Sequence, residues 1–232
     1  MPQPDDRLIL AIDTALDDCS AAVFDVLEDR LLAARTERIV RGHAERLPAV
    51  IDAVLGKAGC SFPDISKLVV TIGPGSFTGV RVGVAAARGY ALALGIPALG
   101  ITTLEAMAAA IRRDAPVLAV HDAKRGEVYA VLMCADGSVL RSPVAIEPDA
   151  LADFVSACTG RIQLTGSGAA IAAEVLGASR AEIVNGDSEV DIETVARLAA
   201  AGRYLRDVKP LYLRTADAKP PSRPFSLFAD TA

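Results

Sequence analysis

The segment Val70-Thr-Ile-Gly73-Pro-Gly75-Ser-Phe-Thr-Gly79-Val-Arg-Val-Gly83 constrains the fold more than any other stretch of the chain. Residues 68–72 are a short continuous apolar run and read as a buried strand. Residues 73–77 read as a tight loop and residues 78–94 as a long helix, with Thr78 placed as its N-cap. A strand that runs through a glycine loop into a helix belongs to an α/β protein. The loop admits two readings. Free N–H groups at a helix start make an anion site, or the glycines supply backbone angles for a tight connection. It is not a Walker A loop, because no Lys-Ser or Lys-Thr follows, and it is not GxGxxG, because the third glycine comes one residue late.

The helix carries a second signal. Gly79, Gly83, Ala87 and Ala91 recur every four residues, with Ala86 and Tyr90 beside them. Such a stripe admits close approach by the chain's own elements or by a partner. Val80, Val82, Val84 and Leu92 also call for burial, so this helix is apolar nearly all round.

The remaining chain alternates strands and helices. Residues 8–12, 19–24 and 31–38 read as strands, the first ending at Asp13, with a turn at Asp17-Asp18. Residues 44–57 read as a helix whose Leu47, Val50, Ile51, Val54 and Leu55 share one face, stopped by Gly59. Residues 97–101 are a further strand. From about residue 103 the order recurs: a helix over 104–111, strands over 117–121 and 127–134 with a turn at Asp136-Gly137, a helix over 150–157, and a strand over 162–165. The turn Gly166-Ser167-Gly168 and a helix to residue 176 follow, then a helix over 192–205. Residues 1–103 are expected to form an N-terminal lobe and 104–215 a C-terminal lobe whose last helix returns to the first. Residues 216–232, with three prolines, are expected to be a mobile tail. Two lobes of mixed sheet with flanking helices describe a two-lobed actin-like ATPase (ASKHA, ribonuclease H-like) α/β fold. A doubly wound Rossmann sheet fits the early hairpins poorly.

Composition narrows the function. Of 232 residues, 52% are hydrophobic but only 4% aromatic, with no Trp, so the core is built from Ala, Val, Leu and Ile. Charged residues make up 23%, which excludes wholesale disorder. A net charge of −5 disfavours autonomous nucleic-acid binding. Cys19, Cys60, Cys134 and Cys158 have no metal-ligand or CxxC spacing and read as reduced thiols. The apolar region 80–101 is broken by Arg81, Arg88, glycines and Pro97, so no membrane span is expected. The start of the chain is polar and acidic, without a signal-peptide pattern, and a cytoplasmic location is expected.

Asp13 stands where an actin-like fold places a carboxylate near a nucleotide metal. The turn after it, Thr14-Ala-Leu-Asp17-Asp18-Cys, lacks glycine and adds two acids, each costing roughly 1 kcal/mol against a phosphate near a surface. A weak nucleotide site would draw on Asp13, Thr14, Gly73, Gly75, Gly166 and Gly168, with ATP or ADP at a lobe or complex interface and no tightly bound cofactor. His43 would need a second histidine four residues on to make a helical metal pair, and that position is Leu47. His121 is the only other histidine, so no metal site and no catalytic residue are assigned. The tip from Asp122 to Tyr129 reads as a solvated charged hairpin or a partner contact. Beside a partner-binding role for the helix over 78–94, two enzymatic readings stand: a small-molecule kinase or ATPase, motivated by Asp13 and the Gly166-Ser167-Gly168 turn, and a metallopeptidase.

Six motifs carry a resemblance. Leu8-Ile-Leu-Ala-Ile-Asp13-Thr14, Cys19-Ser-Ala-Ala-Val23, Gly42-His43-Ala-Glu-Arg-Leu47-Pro48, the Gly73 to Arg81 run, Asp122-Ala-Lys-Arg-Gly-Glu127-Val-Tyr129 and Pro210-Leu-Tyr-Leu-Arg214 resemble the TsaB (YeaZ) family of bacterial tRNA threonylcarbamoyladenosine biosynthesis proteins. The likeness covers residues 8–214 and is loosest over 135–205. It implies a non-catalytic scaffold for N6-threonylcarbamoylation of adenosine 37 in tRNA. The scaffold would pair with the catalytic relative TsaD, recruit the ATPase TsaE, form homodimers through the same surface and meet tRNA only through the complex. TsaD carries a metal-binding histidine pair on the corresponding helix, where this chain has His43 and Leu47. Carried over, the partner surface falls on Leu47, Val50, Ile51, Val54, Val80, Gly83, Val84 and Ala87.

Overall fold

Three strands, β1 (Leu8–Asp13), β2 (Asp18–Asp25) and β3 (Arg30–Arg38), form an antiparallel meander in the computed structural model, which describes residues 7–112, 114–187 and 189–214. Helix α1 (His43–Ala58) leads to β4 (Ile65–Thr71), which pairs parallel with β1. Helix α2 (Phe77–Leu94) leads to β5 (Ala98–Ile101), parallel to β4. The sheet order is β3-β2-β1-β4-β5. Both faces of β1 and β2 are covered, so every residue of these two strands is buried and β1 shows no alternation in sequence.

The second lobe follows the same path. β6 (Val117–Lys124), β7 (Glu127–Met133) and β8 (Val139–Ile146) form the meander. A short 3-10 turn and α4 (Leu151–Phe154) lead to β9 (Ile162–Thr165), parallel to β6, and α5 (Ala169–Leu176) leads to β10 (Ala181–Asn185), parallel to β9. The order β10-β9-β6-β7-β8 is the first lobe's order repeated from its own first strand.

Two further helices join the lobes. α3 (Thr103–Ala110) packs on β6 and β7, and α6 (Ile192–Ala200) returns to β1 and β2 and touches α3. Strand alternation then assigns each side of the second sheet. Val117, Ala119, Val131 and Met133 join the first lobe's core, whereas Leu118, Val120, Val128, Ala130 and Leu132 meet Leu151, Val155 and Ala172. After α6 the chain straps both lobes. The Leu211 N–H donates to the Ile72 carbonyl at 2.8 Å, and Arg206 grips the buried Glu105 through two bonds of 2.6 and 2.7 Å. Arg214 pairs with Glu127 and donates to the Lys124 carbonyl at 2.9 Å.

Four local expectations are corrected. Ser76, not Thr78, caps α2, its hydroxyl accepting from the Gly79 N–H at 3.3 Å, because the helix begins at Phe77. The helix expected over 150–157 is a 3-10 turn and one turn of α-helix, followed by irregular chain. The last helix stops at Ala200, before Gly202 at φ 66°, which frees the following residues to act as the strap. Strand β10 was not expected, because an exposed edge strand needs no apolar alternation. The expected mobile tail, 216–232, lies outside the described residues.

Candidate functional site

β1 ends at Asp13, whose side chain is fully buried. One carboxylate oxygen, Oδ1, accepts from the Thr71 hydroxyl and from the Ala15 N–H at 3.2 Å, while Oδ2 has no partner. Burial raises the carboxyl from 3.8 to about 6, against the lowering pull of Thr71 and Ala15 and with a small push from Asp18.

The glycine loop closes on this turn from above. The Ser76 N–H donates to the Ala15 carbonyl at 2.7 Å, and the Thr14 hydroxyl donates to the Gly79 carbonyl at 2.7 Å. A Cβ on Gly75 would collide with the Ala15 carbonyl and one on Gly79 with the Thr14 carbonyl; at Gly83 it would lie 2.6 Å from the Thr14 hydroxyl oxygen. Of the two readings of this loop, the geometry builds the tight connection. Gly79 and Gly83 of the small-residue stripe face the chain's own β1–β2 turn, and Ala87 and Ala91 are buried. Gly73, at φ 95°, is also engaged, its carbonyl accepting from the Thr103 N–H at 2.9 Å.

The second lobe repeats the device. Gly166 and Gly168 leave no room for a Cβ beside Val120, and the Gly168 N–H donates to the Val120 carbonyl at 2.9 Å. Between them Ser167 accepts from the Asp122 N–H at 3.1 Å and lies 3.0 Å from His121 Nδ1. Burial lowers the His121 pKa, which favours the neutral ring. Sequence reasoning missed this pair because the two residues lie 46 positions apart and meet only through the β6–β9 pairing.

The six nucleotide candidates are therefore not gathered in one open site. Asp13, Thr14, Gly73 and Gly75 pack around one turn, and Gly166 and Gly168 around the equivalent position in the other lobe. A cavity of about 310 Å³ between the lobes is lined by Asp18, Glu189 and Asp191, a poor setting for phosphate. His43 is buried with Nε2 unpartnered, and Leu47 is buried one turn further on. Among the described residues no three His, Cys, Asp or Glu side chains gather as a metal site.

The partner residues also need correction. Leu47, Val50, Ile51, Val54, Val80, Val84 and Ala87 are at most 4% exposed, and Gly83 is buried against Thr14. All eight are buried within the chain's own fold. The outward faces of these helices present Ala49 and Gly56 on α1 and Ala85, Gly89 and Leu92 on α2. Leu92 is 86% exposed, and a Cβ on Gly56 or Gly89 would point into open space.

A family model described as TsaD, tRNA N6-adenosine threonylcarbamoyltransferase, matches residues 34–176, more than half of the chain. The chain is 43% identical over 124 residues to the tRNA threonylcarbamoyladenosine biosynthesis protein TsaB of Escherichia coli K12, a match covering 52% of each protein. It is 34% identical over 148 residues to TsaB of Bacillus subtilis 168, covering 63% of this chain and 64% of that one. The chain thus spans about half the length of the first of these curated relatives and under two thirds of the second. A solved YeaZ from Pseudomonas aeruginosa superposes with a TM-score of 0.76 at 27% identity, covering 89% of this chain and 100% of that one. The duplicated sheets, joined by α3 and α6, define a two-lobed actin-like protein whose first-lobe turn is filled by its own glycine loop. The chain belongs to the TsaB/YeaZ family, within the wider group that the TsaD model describes. No helix among the described residues is long and apolar enough to cross a membrane.

Proposed function

We propose that this chain is the non-catalytic scaffold of a cytoplasmic assembly that makes N6-threonylcarbamoyladenosine in tRNA. It pairs with a TsaD homologue, recruits a TsaE homologue and pairs with itself when alone. One observation supports the absence of chemistry above all. The carboxylate that an actin-like enzyme presents to its nucleotide metal, Asp13, is fully buried under the chain's own loop. The adjoining turn offers acids in place of glycine N–H groups. Nucleotide, if used, is held by the complex and not tightly by this chain alone.

The outward faces of α1 and α2 suit the pairing role. Small side chains at Ala49, Gly56, Ala85 and Gly89 let a partner helix approach closely, and the exposed Leu92 adds apolar area. Depletion of the protein in cells, followed by mass spectrometry of tRNA nucleosides, tests the reading. Loss of threonylcarbamoyladenosine is expected, and an unchanged level defeats it.

A further inference from the structure

A cavity of about 640 Å³ opens where the N-terminus of α2, the β6–β7 hairpin and the C-terminal strap meet. It shares no residue with the Asp13 turn except the edge of the glycine loop. Six side chains set its character: Phe77 and Arg81 from α2, Arg125 and Tyr129 from the hairpin, and Tyr212 and Arg214 from the strap. In a chain of net charge −5, three guanidinium groups converge here, with no carboxylate in the described lining. Glu127, on the adjoining strand, is paired with Arg214.

The wall is pre-organised. The Arg81 guanidinium lies 3.7 Å from the Phe77 ring centroid and 5.7 Å from that of Tyr212, and its Nε donates to the Tyr212 hydroxyl at 2.8 Å. Tyr129 stacks on His121 at 6.4 Å with the rings 4° from parallel. Phe77 and Tyr212 are 60% and 54% exposed, so these rings contribute little to the chain's own core. Large aromatics held at a cavity rim beside fixed cations are the groups that stack bases and bind phosphate oxygens. The dipole of α2 adds positive potential at the same place, and the volume lies in the range of small-ligand pockets.

We propose that this cavity binds a phosphorylated nucleoside, its base against the Phe77–Arg81–Tyr212 wall and its phosphate toward Arg125 and Arg214. The source is either an unpaired nucleotide of an RNA strand or a free nucleotide. The RNA source rests on the function proposed above, and gives a net-acidic scaffold its own local grip on the substrate.

Fluorescence anisotropy of the full chain with a labelled unstructured oligoribonucleotide, alongside calorimetry with AMP and ATP, tests this. Binding is expected to weaken with salt, with a log–log slope of about −0.7 for each phosphate contacted by a single strand. Phe77→Ala and Arg81→Glu should each weaken it by about tenfold or more, with unchanged thermal midpoints. Phe77 lies at the exposed start of a helix, so its variant keeps the test open if Arg81→Glu misfolds. Binding of the oligonucleotide alone assigns the strand source, and binding of the mononucleotides alone assigns the free source. Binding of neither at millimolar concentration, or binding that both folded variants leave intact, overturns the proposal. Nucleoside analysis separates it from the scaffold reading. Modification lost on depletion but fully restored by variants that bind as wild type does would sink the cavity and leave the scaffold.

Discussion

Replacing Asp13 by Asn should stabilise the fold at neutral pH, by an amount that depends on pH in a defined way. The folded-state carboxyl titrates at about 6 against an ordinary 3.8, chiefly because it is buried. Below about pH 4 it is protonated in both states and contributes no pH dependence. As pH rises from 4 to 6 the unfolded chain loses the proton while the folded chain keeps it, so stability falls by about 1.4 kcal/mol per unit. Above pH 6 the deficit stays near 3 kcal/mol, the two-unit shift multiplied by that slope. Asn keeps an acceptor for the Thr71 hydroxyl and the Ala15 N–H, but places an amide where Oδ2 has no partner. That amide costs about 1–3 kcal/mol at every pH. The informative quantity is therefore the difference between the variant's effect at pH 7.5 and at pH 4, from which the amide cost cancels. Urea unfolding across this range should show the variant gaining about 3 kcal/mol relative to wild type as pH rises. A mutational effect that is flat with pH would refute the reasoning. The scaffold reading adds that the variant retains threonylcarbamoyladenosine formation in complemented cells, whereas a kinase using Asp13 would lose activity.

Gly79→Ala and Gly83→Ala should each destabilise by about 1–3 kcal/mol, because the new Cβ meets Thr14. Gly89→Ala, facing open space in the same helix, should stabilise by up to about 1 kcal/mol; denaturant midpoints check all three. Gly89→Trp should leave the fold intact and abolish pairing with a TsaD homologue on size exclusion, and an intact heterodimer would remove the outer face of α2 from the interface. Arg206→Ala should cost about 3 kcal/mol in chemical denaturation by stranding the buried Glu105. Adding Glu105→Gln should recover part of that loss, and full additivity of the two changes would argue against a coupled pair.

Much of the architecture was legible because burial leaves a mark in sequence. The unbroken apolar runs of β1 and β4 and the stripe on α1 announced elements that the structure contains, and Gly59 ends α1 at φ 69° as a helix stop should. β10 left no such mark, since only Ala181 of its residues is buried. The end of α6 was signalled by Gly202, but the apolar residues after it, which pack along the strap, imitate a continuing helix. The candidate site was less legible. The glycines at 73–79 and 166–168 stood out, yet the same residues serve an anion site or a close backbone crossing, and composition does not separate the two.

What the sequence by itself determined was the order of strands and helices and the places where the chain needs glycine, since both follow from local periodicity and backbone sterics. What only the tertiary structure decided was which face meets which neighbour. α2 is apolar nearly all round, and pattern alone cannot orient such a helix. The parallel pairing of β1 with β4 brings the end of β1 beneath the glycine loop, so Gly79 and Gly83 turn inward onto Thr14, and Gly75 onto Ala15. Ala85, Gly89 and Leu92 are thereby left outside, and Arg81 is set between Phe77 and Tyr212, two rings that only the returning strap brings together.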